Sequence, residues 1–396
     1  MRTITAIGLW IAIAVSVVVM WVQARWPTTV PEVAAFTLCG AWLAWGLTGR
    51  VRLRWSAVLL PLAALLLWAS IQVATGITVY AWRTEVYILY WAGNLAVVFT
   101  GLQIFEDEKL RDDFLDALLV FAFAIAVISP LQSRVAGTKI FWLFEPPHIF
   151  WVPFGPFPYT NQYAAFIELL LPVAIYKAIA GAKWHTFYVL TVAVFYTSVI
   201  AAASRAGFAL TTAEMVLIPV LLVRRSAVSW RQMKSSVVLF AGILILLITA
   251  AAPAGVLSRF GAEDPYAGRR EFVESSLRMM KDKPLVGFGL GNWPTAYPGY
   301  ALFDDGKIAN QAHNDWAQWA VEGGLPLLAI MLWMAWWAVP RAIASIWGAG
   351  VAAVLVHCLV DYPIQRTAVA LVFFTMLAAI HYAPDTRKTR LKPRVP

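Results

Sequence analysis

Apolar residues fill this chain in blocks of about twenty, separated by short polar breaks. A helix needs about 20 apolar residues to cross the roughly 30 Å hydrocarbon core of a bilayer. Twelve stretches meet or approach that length: residues 4–24, 30–48, 55–75, 85–102, 112–130, 161–180, 185–203, 205–223, 235–252, 314–339, 341–360 and 366–383. The pattern predicts an all-α polytopic membrane protein of about twelve transmembrane helices, with residues 1–396 forming one membrane domain. The first block is too long for a signal-peptide core and no small-residue cleavage site follows it, so it reads as a retained anchor.

Two stretches interrupt this rhythm. Residues 131–160 contain FWLFEPPHIFWVPFGPFPYTN, too rich in proline and glycine for one helix and too aromatic for a free loop. Such a segment is expected in the headgroup layer, where aromatic rings partition well. Residues 253–312 hold seven basic and seven acidic residues. Within them Phe272, Val273, Leu277 and Met280 recur at helical spacing and predict an amphipathic helix over about 267–281, lying along the membrane. Lys283-Pro284 ends that helix, and the glycines of LVGFGLGNW predict a turn.

Composition agrees with the blocks. Hydrophobic residues make up 61% of the chain, charged residues 13%, and the mean hydropathy is +0.69, which excludes a soluble domain of this length. The net charge of +9 is mostly a topology signal. With both termini on the cytoplasmic side, 18 of the 31 lysines and arginines fall inside, five of them in the basic tail 384–396, and 7 of the other 13 lie in 253–312. A basic tail of this kind touches anionic lipid, and no nucleic-acid partner is implied. Cys39 and Cys358 lie inside apolar blocks and need not pair, and no metal-ligand cluster is evident.

The candidate chemistry sits at the outer breaks. Arg205, in SRAGF, falls in a tight turn between two blocks, close to the hydrocarbon boundary. An arginine there costs free energy unless it is paired or used. Arg269 and Arg270 open the amphipathic helix, where they serve either as interfacial anchors or, with Arg205, as a fork-like receptor for phosphate or diphosphate. His313 opens HNDWAQWAVEGG at the start of the tenth block, with Asn310 as a possible cap. A helix start keeps an imidazole neutral, as a general base requires; the ordinary alternative is a satisfied interfacial histidine. His148 is a second candidate, and His185, His357 and His381 read as structural. Glu168, Glu214, Glu322 and Asp361 lie in or beside apolar blocks, either marking a proton or ion path or pairing with the arginines. Glu322 precedes Gly323-Gly324, where the helix is expected to break or pack closely.

These residues resemble the bacterial O-antigen ligase and polymerase superfamily between about 155 and 340. SRAGF is similar to its SRxG element. GRREFVESSLRMMKDKPLVGFGLGNW is similar to its Gly-Arg, helix and glycine-turn element, with Gly268 and Arg269 on the Gly-Arg pair. HNDWAQWAVEGG matches a His, a small polar residue and a later Gly, here His313, Asn314 and Gly324. PYTNQYAAFIELLLP resembles the Asn-containing entry to a middle helix, with Asn161, Glu168 and Pro172. Val273 stands where the family often has Trp, and Leu327 where ligases commonly have a small or polar residue.

The resemblance implies a GT-C-like membrane fold in the bacterial inner membrane and an inverting glycosyltransferase that uses neither metal nor cofactor. Its donor would be a glycan on undecaprenyl diphosphate, moved at the periplasmic face to an acceptor hydroxyl, first of all on the lipid A core. In the implied roles His313 is the base, Arg205 and Arg269 hold the donor diphosphate, and Arg270, Asn161, Asn314 and Glu322 support them. A polymerase of the same superfamily would use another lipid-linked repeat as acceptor. A lipid-linked sugar transporter is the reading from a different class, although no matching interrupted helices mark two related halves.

Overall fold

The computed structural model describes residues 1–146, 153–180, 184–225, 234, 237–244, 267–302, 306 and 308–383. Among these residues the chain is helical and has no β-strand, an all-α polytopic membrane protein as its pattern predicts. The long helices are α1 (Arg2–Val18), α2 (Trp26–Leu47), α3 (Leu59–Ala74), α4 (Ala81–Ile104), α5 (Glu108–Val135), α6 (Thr160–Ile179), α7 (His185–Ala202) and α8 (Arg205–Arg224). They are followed by α9 (Ala267–Asp282), α10 (Asp315–Ser345), α11 (Ala349–His357) and α12 (Thr367–His381). Seven of the described helices are long and apolar enough to cross a membrane, and α1, α3 and α12 are shorter apolar helices.

Burial separates the centre of the bundle from its rim. In α6 every residue from Gln162 to Ile175 is buried, and in α12 every residue from Ala368 to Ile380. Both are apolar all round, the pattern of a helix enclosed by others. α6 packs against α7, α8 and α11, and α12 against α4, α1 and α6. α2 leaves most of its surface outward, as expected of a helix that faces lipid. Side chains cap the helices that begin near polar breaks: Asp107 accepts from Leu110 N at 3.0 Å and Ser204 from Gly207 N at 3.1 Å.

α10 is broken in its first half. Gly324 has φ 67° and ψ −169°, a region that essentially only glycine occupies. Main-chain groups released there, which lipid could not satisfy, find partners elsewhere in the fold. Trp68 Nε1 donates to Gly323 O at 2.8 Å, Gln72 Nε2 to Glu322 O at 2.9 Å, and Leu325 N donates to Pro284 O at 2.8 Å. The glycine turn docks on the same break, with Phe288 N on Val321 O and Gly289 N on Glu322 O. Contact is backbone to backbone: a Cβ on Gly287 would stand 2.4 Å from Glu322 O, and one on Gly324 2.6 Å from the Leu285 carbonyl. Gly324→Ala is therefore expected to lower stability by about 1–3 kcal/mol through backbone strain alone, read as a depressed Tm of the detergent-purified protein.

Three expectations need correction. The 341–360 block does not form one crossing: α10 runs on to Ser345, and α11 has nine residues, about 13 Å of helix. α9 does not offer its apolar face to lipid. Met279 is buried with Phe288, Trp293, Ala312 and Val321 in a small second core, Phe272 and Met280 pack against it, and Leu277 points outward. Part of the aromatic segment is core as well: Phe154 and Phe157 are buried against Tyr163, with centroids at 4.7 and 5.4 Å, whereas Trp142, Leu143 and Phe144 are exposed. His148, residues 253–266 and the tail 384–396 lie outside the described residues, as does most of the 235–252 block.

Candidate active site

Four separate segments meet at one end of the bundle, on the carboxylate of Asp361. The turn between α11 and α12 carries it, and its neighbour donates to it first: Tyr362 N reaches Oδ1 at 2.8 Å. Asn161, in the first turn of α6, donates from Nδ2 to Oδ2. Arg269, in the first turn of α9, places Nη2 3.4 Å from the same oxygen. His313 sets Nδ1 3.6 Å from Oδ1, just beyond hydrogen-bond length. Burial alone would raise this carboxyl, but His313, His357 and Arg269 hold it well below the usual carboxylate range. Asp361 is thus a buried, ionised hub.

Each arm is fixed by local structure. Asn161 is oriented from behind, since Ser204 Oγ donates to its Oδ1 at 2.7 Å. Ser204 is also the cap of α8, and Ala203 before it takes a left-handed conformation (φ 52°) that reverses the chain out of α7. This pair places Arg205 at the first position of α8, one residue from the Asn161 contact and half-buried. On α9, Arg269 and Phe272 are three residues apart and share a face. The Phe272 ring stacks on His313 at 5.7 Å and 10°, while Tyr362 meets the imidazole edge-on at 4.7 Å and 87°. Arg270 turns outward and is exposed. The α9 frame is held by Glu271, a buried carboxylate that accepts from Tyr297 Oη at 2.7 Å, Ser275 Oγ at 2.9 Å and Leu302 N at 3.0 Å.

His313 is not in the first turn of α10, and Asn310 is not its cap. Asn314 is the cap, accepting from Ala317 N at 3.0 Å, and His313 stands just before it with φ 50°. This left-handed residue, uncommon outside glycine, swings the ring off the helix axis toward Asp361. Asn314 ties the two partners together, because its Nδ2 donates to Leu359 O at 2.8 Å, and Asp315 N donates to Cys358 O at 2.9 Å and Asp361 O at 3.2 Å. Below the hub, His357 Nδ1 bonds both oxygens of Glu168 at 2.9 and 3.0 Å, and both residues are fully buried. That pair pins α11 to α6, the helix that also supplies Asn161.

Glu322 stands apart from the hub. Its Oε1 accepts from Gln318 Nε2 at 2.9 Å and from Trp293 N at 3.3 Å, and Gln318 in turn holds Ala312 N at 3.1 Å. It positions the glycine turn and the approach to His313. Glu214 is buried in α8.

Residues 189–332 match the family model described as O-antigen ligase. The chain thus carries, over a little more than a third of its length, the superfamily resemblance read from its motifs. The O-antigen ligase match runs from α7 through the break in α10 and takes in Arg205, Arg269, Arg270, His313, Asn314 and Glu322, whereas Asn161 and Asp361 lie on either side of it. It supports a glycan-processing function in a membrane, of ligase or polymerase type. No curated protein matches the chain. Among the described residues no group of three or more His, Cys, Asp or Glu side chains is placed to hold a metal ion.

In sequence Asp361 is one acid among several in or beside apolar blocks, and Tyr362 and Arg366 belong to no motif. The trace that marks them is the string DYPIQR, a polar break with proline directly before the last apolar block.

Proposed function

We propose that the protein is an inverting glycosyltransferase that moves a glycan from undecaprenyl diphosphate to an acceptor hydroxyl, with the lipid A core as acceptor. The observation that carries this reading is the convergence of Arg269 and His313 on the two oxygens of one buried carboxylate. A proton on Nδ1, held toward Asp361, leaves the Nε2 lone pair for the acceptor hydroxyl. The hydroxyl oxygen then attacks the anomeric carbon as its proton passes to Nε2. The bond from that carbon to the diphosphate oxygen breaks, and undecaprenyl diphosphate departs with the electron pair. Arg205 and Arg269 stabilise the charge on the departing diphosphate, and attack from the opposite face inverts the anomeric centre. Arg270 is assigned no part in holding the donor.

The side of the membrane follows from charge. Arg2, Arg54, Arg111 and Lys177 make their contacts at the far end of the bundle, where Glu106 pairs with Arg2 at 2.5 Å and also with Arg54. Positive residues stay cytoplasmic, so this reading puts the hub at the periplasmic face of the inner membrane with both termini inside. A polymerase would share the whole site and differ in its acceptor.

The test is purified protein with undecaprenyl diphosphate-linked glycan, offered lipid A core or a second lipid-linked repeat, in the presence of a chelator. Glycan on lipid A core supports ligation. Extension of the lipid-linked repeat instead makes the protein a polymerase, and absence of any transfer from the lipid donor overturns the reading. Arg205→Lys keeps the charge and loses the planar fork, so kcat/KM for the lipid-linked donor is expected to fall about tenfold or more, the effect of ~1.4 kcal/mol. An unchanged value removes Arg205 from the diphosphate.

A further inference from the structure

Beside the hub lies a cavity of about 320 Å³, at the lower end of small-molecule sites. The C-terminal end of α1 and the residues after it, the start of α2, Tyr159 before α6, Asn310 and the start of α12 enclose it. Its walls are mainly polar and include Arg366, Gln365, Asn310, Gln23, Tyr159 and Trp21. Arg366 is the charged group among them. Its Nη2 donates to Tyr362 Oη at 3.1 Å and its guanidinium lies over that ring at 4.8 Å, while Nε is buried without an acceptor. Among the described residues no carboxylate lies within 4 Å of it, and the titratable groups that bear on it are the phenols of Tyr362, Tyr87 and Tyr159. The side-chain oxygen of Gln365 is buried beside it without a donor. An arginine held by one phenol, next to an unused amide oxygen, is equipped for a ligand that brings both a negative charge and hydroxyl groups.

We propose that this cavity is a binding subsite for an anionic sugar unit, carboxylated or phosphorylated, of the acceptor glycan. The assignment to the acceptor rests on the transferase reading above and on the walls. Tyr362 contacts both Arg366 and His313, so a sugar held by Arg366 lies one side chain away from the imidazole that would take the acceptor's proton. α8 and α9, which carry the donor arginines, contribute nothing to the cavity. Asn310 lines it three residues before His313, and Tyr159 two before Asn161. The rings of Trp21 and Tyr159 supply apolar faces of the kind on which sugar C–H groups rest.

Binding tests this without turnover. Full-length protein in phosphatidylcholine nanodiscs is titrated with methyl glucuronide, glucose 6-phosphate, methyl glucoside and inorganic phosphate, followed by saturation-transfer NMR or, for phosphate, competition. The two charged sugars are expected to bind at least about tenfold more tightly than methyl glucoside and phosphate. Arg366→Gln should cut that preference to below about threefold. Asn310→Asp, at an exposed position where folding is not at stake, should do the same by adding a negative charge to the wall. Equal binding of charged and neutral sugars, or a preference that survives in Asn310→Asp, overturns the subsite. Loss of the preference in Arg269→Gln but not in Arg366→Gln puts the anion at the donor arginines and overturns it too. Phosphate binding as tightly as glucose 6-phosphate, or displacement of the sugars when phosphatidylglycerol is added to the nanodiscs, identifies a bare anion or a lipid headgroup as the occupant, and either overturns the sugar assignment. If the charged-sugar preference holds but no glycan is transferred, the transferase reading falls and the subsite stands. Where transfer is observed, Arg366→Gln should raise the KM for a charged acceptor and leave the KM for the lipid-linked donor unchanged.

Discussion

His313→Ala is expected to reduce kcat for glycan transfer by about 10²–10⁴-fold, the range supplied by a positioned general base, with the KM for donor and acceptor little changed. The argument rests on what His313 does and does not touch. Its Nδ1 faces Asp361 at 3.6 Å and its ring is sandwiched between Phe272 and Tyr362, but it caps no helix and about a third of the side chain remains exposed. Removing the ring costs two aromatic contacts, about 0.5–1.5 kcal/mol each, and leaves the Asn314 cap in place. Protein level in the membrane should therefore stay near that of the parent, and Tm should fall by no more than a few degrees. Measured on purified protein at saturating substrates, a fall in kcat alone marks an interaction made in the transition state. A rise in KM with kcat preserved would make His313 a wall of the site, and full activity would remove it from the mechanism.

The membrane class was legible because lipid imposes length and apolarity on every crossing, and ten of the twelve expected blocks coincide with helices of fifteen residues or more. The exception at 341–360 has a physical reason: Pro340 and Arg341 are tolerated inside α10, whose last turns therefore absorb the start of the block. Arg205 and His313 were legible as polar residues beside apolar blocks, Arg269 as a residue that opens the amphipathic helix, and Asn161 through the family resemblance. What joins them was not. Asn161 and Asp361 are 200 residues apart, and the contact depends on α6 and α11 packing side by side, which no local pattern encodes. The amphipathic helix shows the same limit. Its apolar spacing predicts a buried face and says nothing of whether lipid or Trp293 and Phe288 will cover it. The displacement of His313 by one residue from the helix start matters for chemistry, since the left-handed turn before the Asn314 cap aims the ring at Asp361.

Asp361 is the residue whose loss should be felt in both rate and stability. The carboxylate is buried, and every group around it is a donor or a potential cation: Tyr362 N, the Asn161 amide, the Arg269 guanidinium and the His313 Nδ1. Asp361→Asn keeps the shape and removes the charge. One side-chain atom still accepts from Tyr362 N, but its new amide hydrogens then face the Asn161 amide and Arg269, donor against donor. The expected result is a loss of about 10–100-fold in activity, the cost of disturbing an orienting partner, together with weaker donor binding as Arg269 loses its ion pair with Asp361. Asp361→Ala leaves the buried Tyr362 N and the Asn161 amide without their acceptor and should destabilise by about 1–3 kcal/mol. The sign of the pH dependence follows from the depressed carboxyl. A group whose folded form ionises more readily than its unfolded form stabilises the protein above the unfolded pKa of about 3.9, and that stability is lost as pH falls through the lower folded value. The difference in Tm between the parent and Asp361→Asn should therefore shrink as pH falls below the ordinary carboxylate range. A difference that stays unchanged through the acid range would show that Asp361 is not held ionised by its partners, and the hub would lose the charge on which the placement of both Arg269 and His313 depends.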